Sequence, residues 1–472
     1  MLKPIPIDKG VYQNVDPMEL GDPSYAAELR NICLTDSGAN TDRPGLSEFS
    51  NTGTAYGILG LSYFTVSDTV VAVDRNRKIW SIDSDGVATQ IDGGTDLEGT
   101  SRPTFASDGT YLAIAGGGAP QTWSGTGNTA LMAGSPEDCT HISYLDGYWI
   151  SHLLNDQEFR FAGPTSVTRL TWNSSDFFQA EGSPDNIVAQ AVLLRELYSF
   201  GETSTEIFQN FGTANPFQRT FFIDRGIGAA HSLIQFDNTL SWLDNRRRIV
   251  QMQGRTPVQI NSPYDRIIQG FTTVSDCWAA NIEGIGGKYF AVWTFPTEEK
   301  SFAFDYKNKE WAEWDGFEDG GSARLPIHSH VFVGAWNKHL VGHPNTGKVF
   351  QLTFDSKSDG DAIMRRLRRT GSYNHGTNNR KRSNYYLFHI KRGLIADDGT
   401  TAEPVFEVRV NDDNKGWSDP ELVPLGFFGE ETEALRVNMG GIYRRRQLEI
   451  QMTDAAEFLL TGIEEDVELM TS

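Results

Sequence analysis

The chain has 472 residues, with 41 Lys and Arg against 62 Asp and Glu, a formal net charge of −21. Its 39% hydrophobic content is enough for a packed core and too much for a disordered chain. No apolar run approaches the ~20 residues of a membrane-spanning helix, and an acidic chain does not wrap nucleic acid. Glycine is frequent, at 47 residues, and aromatics make up 11%, a strand-and-turn composition.

The N-terminus, with two prolines in its first six residues, has no apolar core of a secretory signal. Cys33, Cys139 and Cys277 are too few and too far apart for a disulfide framework or a zinc site. They read as small buried hydrophobes of a chain made in a reducing cytoplasm.

Residues 1–54 read as an extended arm with one short helix. Asp22 supplies a cap, Pro23 suits the first turn, and Ser24 to Asn31 follow.

Residues 55–370 carry a repeat. An alternating apolar strand, a polar turn and a second strand recur, as in Thr69 to Trp80, Tyr111 to Trp123 and Tyr148 onward to Arg169–Trp172. They recur again at Glu196–Phe208, Thr239–Val250, Lys288–Phe304 and His339–Phe350. The closing residues 80, 123, 172, 208, 250, 304 and 350 have a mean spacing of 45, beside the ~40–45 residues of a four-stranded propeller blade. Further apolar runs, at 57–64, 141–145, 188–194 and 232–236, precede several hairpins and supply inner strands. One blade cannot bury both its faces, whereas a closed ring can. The fold class is therefore all-β: a six- or seven-bladed β-propeller, with a large sandwich or two stacked barrels as the alternative.

Residues 371–472 change pattern. Strands are predicted at 385–390, 405–410, 434–437, 447–452 and 458–463, each with one apolar face, giving a C-terminal β-sandwich.

Several motifs have structural readings. Gly342 to Lys348 matches most of a phosphate-binding loop, but Val349 stands where Ser or Thr would hold magnesium, and a strand follows. His328, His330, His339 and His343 cluster without a nearby cysteine and read as hydrogen-bonded histidines, not a metal site. Asp305, Glu310, Glu313 and Asp315 would be the carboxylates of a glycosidase, with Tyr289, Trp293, Trp311 and Trp314 stacking on sugars. No compact catalytic constellation stands out, so neither catalytic residues nor a cofactor is assigned. Asn411 to Trp417 reads as an Asp-rich hairpin turn.

The strongest local asymmetry is basic. Between Arg365 and Arg392 lie nine cations and no acid: Arg365, Arg366, Arg368, Arg369, Arg380, Lys381, Arg382, Lys391 and Arg392. Such a segment is suited to grip an acidic partner or touch DNA phosphates, or to serve as a solvated linker. Arg444 to Arg446 extend the same character.

The C-terminal residues carry a resemblance. Phe406 to Ser418, Leu425-Gly-Phe-Phe-Gly429 and Ala434 to Ile450 resemble the tail hub, or nozzle, protein of P22-like short-tailed bacteriophages, also called the packaged-DNA stabilisation protein. Arg43-Pro-Gly-Leu46, Tyr289 to Trp314 and Gly347 to Phe350 fit the same pattern. The resemblance implies a non-enzymatic virion component, assembled in the host cytoplasm. Six copies would form a tube below the portal-adaptor ring, hold tail fibre, spike or needle proteins, retain packaged DNA and let double-stranded DNA pass. A virion-associated carbohydrate-binding or glycoside-hydrolysing propeller is the alternative.

Overall fold

The computed structural model describes all residues except 14–23, 164–169, 181, 214, 394–401, 430–433 and 471–472. The described chain is built almost wholly of strands, with a single short helix, Asp265–Gln269. No described helix is long and apolar enough to cross a membrane.

Seven four-stranded antiparallel units follow one another. The first comprises Ile58–Phe64, Thr69–Asp74, Ile79–Ile82 and Ala88–Gln90. The second spans 104–131, the third 139–179, the fourth 187–223, the fifth 234–259 and the sixth 278–313. The seventh takes three strands from Ser329–Val333, Lys338–Gly342 and Lys348–Thr353, and its outer strand, Gly45–Asn51, from the N-terminal segment.

Apolar residues seal each junction. Val71, Val73 and Ile79 of the first unit pack with Leu112, Ile114 and Trp123 of the second. Phe200 and Ile207 of the fourth meet Trp242 and Val250 of the fifth, and the two ring systems Phe200 and Trp242 lie edge to face at 5.2 Å. Val333, Leu340 and Val349 of the seventh return to Ile58, Val70 and Ile82 of the first. The circle is closed, so every blade buries both faces. The tight hairpins use two-residue turns with both residues at positive φ, such as Asp146–Gly147 and Asp237–Asn238, which suit the twist of paired strands.

The repeat was readable because the closing residues 80, 123, 208, 250, 304 and 350 all fall in third strands. Trp172 does not. The third strand of the third unit is Glu158–Ala162, and Trp172 is a buried residue beyond it, in a loop bridged to Ala133. Arg169 lies outside the described residues.

The expected N-terminal helix is corrected. Asp22 and Pro23 lie outside the described residues, and Ala26–Arg30 is a strand. It pairs with Arg366–Thr370 on one side and bridges Glu313 on the other. Partners on both edges outweigh weak helical propensity. The strand joins the sixth blade to the C-terminal region in one nine-stranded sheet, ordered 26–30, 366–370, 446–452, 405–412 and 421–424 beyond the blade.

A second sheet of seven strands faces it. Leu459–Leu469 lies at its centre, flanked by Lys381–Ile390 and by Asn40–Asp42, with Leu2–Ile5 also paired to it. Phe388 of one sheet packs edge to face on Phe406 of the other, with ring centroids 5.3 Å apart. The N-terminal 54 residues are therefore distributed among three sheets, and the C-terminal layers begin at Arg366 rather than at 371.

Candidate interaction site: the arginine-rich junction

The nine cations between 365 and 392 do not form one surface. Arg366 and Arg368 point inward from the strand Arg366–Thr370, and both are fully buried. The Arg366 guanidinium uses all five donors: Nε on Asp42 at 2.8 Å, and the carbonyls of Met364, Asp454, Lys357 and Ala456. Arg368 donates to the Lys9 and Ser24 carbonyls and to Asn40 Oδ1 at 2.8 Å. Among the described residues no carboxylate touches it, and burial pushes its guanidinium down to about 9. Arg366 and Arg368 thus tie the N-terminal segment to the C-terminal sheets.

Arg365 and Arg369 are half-buried. Arg365 bonds Ser322 Oγ at 2.6 Å and stacks on Phe317. Arg369 is clamped between Glu28 and Glu449 and lies over Trp417. Lys381 is buried, its ammonium held by the carbonyls of Thr377, Asn379 and Arg444 at 2.7–2.9 Å. Lys391 pairs with Glu457 at 2.8 Å, and Arg392 donates to the Leu425 carbonyl. A solvated or partner-gripping role for Arg366, Arg368 and Lys381 is therefore corrected: their charges are consumed inside the molecule.

Arg380 and Arg382 remain. Both are exposed, and among the described residues neither has an ion pair. Arg382 sits beside exposed Ile442, and Arg444, also exposed, reaches the Asn378 carbonyl at 2.9 Å. These three arginines edge one end of the seven-stranded sheet.

Two further arginines are buried, Arg43 of the Arg43–Leu46 motif and Arg446 of the run Arg444 to Arg446, and the sequence reading assigned neither an internal partner. Arg43 makes a two-pronged pair with Asp359, at 3.0 and 2.6 Å, and also bonds Asn31 and the carbonyls of Pro44 and Asp315. Arg446 pairs with Asp412 at 2.5 and 2.8 Å and reaches the Tyr386 hydroxyl. Glu465 beside it accepts from His375 and from the Tyr386 and Tyr443 hydroxyls. Burial tends to raise the Glu465 carboxyl, but those hydrogen bonds and Arg446 leave it below the usual range. In the sequence, Arg43 shows only as part of the Arg43-Pro-Gly-Leu46 motif, Arg446 only as the end of a basic run, and Asp412 only as part of an Asp-rich turn.

The supposed glycosidase acids are similarly committed. Asp305 caps its own turn, Glu313 binds Arg30 and Lys300, Asp315 binds Asn31 and Arg30, and Glu310 accepts the Gly10 amide. Trp293, Trp311 and Trp314 are buried, and only Tyr289 faces outward. Asp412 and Asp413 bond Arg446 and the Arg444 and Arg445 amides, so the Asp-rich turn braces a neighbouring loop as well as itself. His343 Nδ1 accepts from the Asn345 and Thr346 amides, which makes the glycine-rich segment 342–348 a capped hairpin turn. The three cysteines are free and buried.

No curated protein matches the chain. Among solved structures, the chain is similar to the WD40 β-propeller domain of Doa1, at 13% identity and a TM-score of 0.43, over 66% of this chain and 97% of that one. Residues 25–357, the ring and the segment that closes it, match the family described as bacteriophage P22 Gp10, beta-propeller. On that match, across well over half its length, the chain belongs to the bacteriophage P22 Gp10 β-propeller family and is a phage structural protein.

Proposed function

We propose that the chain is the tail nozzle, or hub, subunit of a short-tailed phage virion. Six copies form a tube below the portal-adaptor ring, retain the packaged DNA and conduct it during ejection. The family match carries this reading. The net charge of −21 per chain supports it, because a conduit must repel phosphates rather than bind them. The dense internal bonding of the arginine junction supports it too, since a tube subunit must hold its domains rigidly. The exposed arginines Arg380, Arg382 and Arg444 are the partner-contacting residues in this reading, meeting an acidic patch on the adaptor or on the next copy.

Light scattering tests the proposal, on the purified chain alone and mixed with the adaptor–portal ring of the same phage. About six copies added per ring is the expected result, with binding lost in the triple variant Arg380→Glu, Arg382→Glu, Arg444→Glu. A chain that stays off the ring overturns the reading.

One observation favours a second reading, carbohydrate binding. Phe236 and Tyr306 stack at 3.8 Å, and with Tyr289 they line a cleft of about 470 Å³ flanked by Asp237, Glu283, Lys307 and Lys309. Aromatic platforms beside charged groups suit sugar rings. A glycan array read with wild type and Tyr289→Ala tests it.

A further inference from the structure

The first strands of the blades line the axis, so the residues that lead into them gather at one mouth of the central channel. Arg102 leads into the second blade, Trp278 begins the inner strand of the sixth, and Arg324 and His328 lead into the seventh. Arg75 ends a second strand and returns to the same mouth by antiparallel pairing. Its amide donates to the carbonyl of Gly57, which leads into the first blade.

These groups converge. Arg324 Nη2 donates to His328 Nδ1 at 2.7 Å. Arg102 donates to the His328 carbonyl and lies 4.6 Å from the centroid of the Trp278 ring. Trp278 meets the His328 ring edge to face at 6.1 Å. Arg75 is close enough that its charge acts on Arg102, Arg324 and His328.

Among the described residues no carboxylate forms an ion pair with Arg75, Arg102 or Arg324, and Arg324 Nε is buried without a partner. Of the three arginines only Arg324 feels Asp276 and Glu299, neither of which pairs with it; Asp276 gives Oδ2 to Thr297, and its buried Oδ1 has no partner among the described residues. Deeper in, His141 stacks on His231 at 5.0 Å and on His152 at 5.1 Å, and burial holds all three imidazoles neutral. Burial together with the neighbouring arginines pushes Arg102 down to about 9. Half-buried guanidinium groups without anions are costly, and their planar forks match oxyanions in shape and charge.

We propose that this channel mouth binds an oxyanion of the phosphate class, held between Arg75, Arg102 and Arg324. An oxyanion offers several acceptor atoms that planar guanidinium forks can engage in pairs, which a single spherical chloride does not, so an oxyanion is preferred. The site lies within the ring and is independent of the arginine junction and of assembly.

Isothermal titration calorimetry of the full chain with inorganic phosphate, in buffer of matched chloride ionic strength, tests the assignment. Saturable binding is expected, weakened about tenfold or more in Arg75→Gln and in Arg324→Gln. Arg75 is exposed and its side chain makes no hydrogen bond among the described residues, so its variant keeps the fold, and thermal unfolding verifies this. A short DNA duplex added as competitor separates sources: displacement of phosphate assigns the ligand to backbone phosphates, and indifference assigns it to the free ion. Absence of saturable heat, or unchanged affinity in both variants, overturns the proposal.

Discussion

At the scale of single residues, the buried arginines decide how this protein tolerates change. Arg43 faces Asp359, and its removal leaves a buried carboxylate unpaired. Arg43→Met is expected to cost ~3–5 kcal/mol in urea unfolding. Among the described residues Arg368 touches carbonyls and an amide but no carboxylate, so Arg368→Met strands none of their charges and is expected to cost clearly less. Equal losses in the two variants would contradict this ranking. A second residue-scale prediction concerns Leu194, a bulky, exposed side chain at φ 50° in a two-residue hairpin turn. Asn visits that region readily, so Leu194→Asn is expected to stabilise by ~1 kcal/mol, read as a raised unfolding midpoint.

At the scale of elements, the ring depends on a strand borrowed from far away in sequence. Gly45–Asn51 completes the seventh blade by pairing with Lys348–Thr353, where Leu46 lies opposite Leu352. Leu46 is buried in that closure. Leu46→Asp is expected to open the seventh blade locally and to speed amide exchange in 348–353 before other blades, measured by hydrogen exchange. The blades themselves were legible because six of the seven third strands carry an aromatic or branched residue at a steady spacing. The closing strand was not, because Gly45 to Asn51 carries no repeat signature and its partner is some 300 residues away. The same limit explains Ala26–Arg30, whose local sequence favours a helix while both its edges are claimed by other strands. The basic run from Arg365 was visible as charge. Nothing in the sequence distinguishes an arginine that faces water from one whose five donors end on carbonyls, so Arg366, Arg368 and Lys381 were assigned to the wrong side of the surface.

At the scale of the whole molecule, protons act through the buried imidazoles. Burial lowers His141 to about 4 and His330 to about 3, and also lowers His152 and His231, from an ordinary 6.5. Between those values the unfolded chain binds protons that the folded chain refuses. Stability is therefore fully present above pH 6.5 and declines as pH falls toward 4, each group contributing up to ~1.4 kcal/mol per pH unit. Asp265, pushed by burial up to about 6, and Glu310, also raised by burial, act in the opposite sense, two carboxyls against the seven described imidazoles that burial lowers. The unfolding midpoint in urea is expected to fall steadily from pH 7 to pH 5, and a flat profile would show that the imidazoles are charged in the folded state.

The pairing of Leu2–Ile5 and Asn40–Asp42 with Leu459–Leu469 carries a consequence for synthesis. Leu2–Ile5, and the outer edge of Asn40–Asp42, must wait until Leu459–Leu469 has been made, more than 400 residues later in the sequence. The inner blades, whose strands are neighbours in sequence, can form while translation proceeds, but the strands that lock the sheets beside the ring cannot. These sheets therefore close only once Leu459–Leu469 emerges, and a chain cut short before it keeps its exposed edges and offers itself to proteolysis.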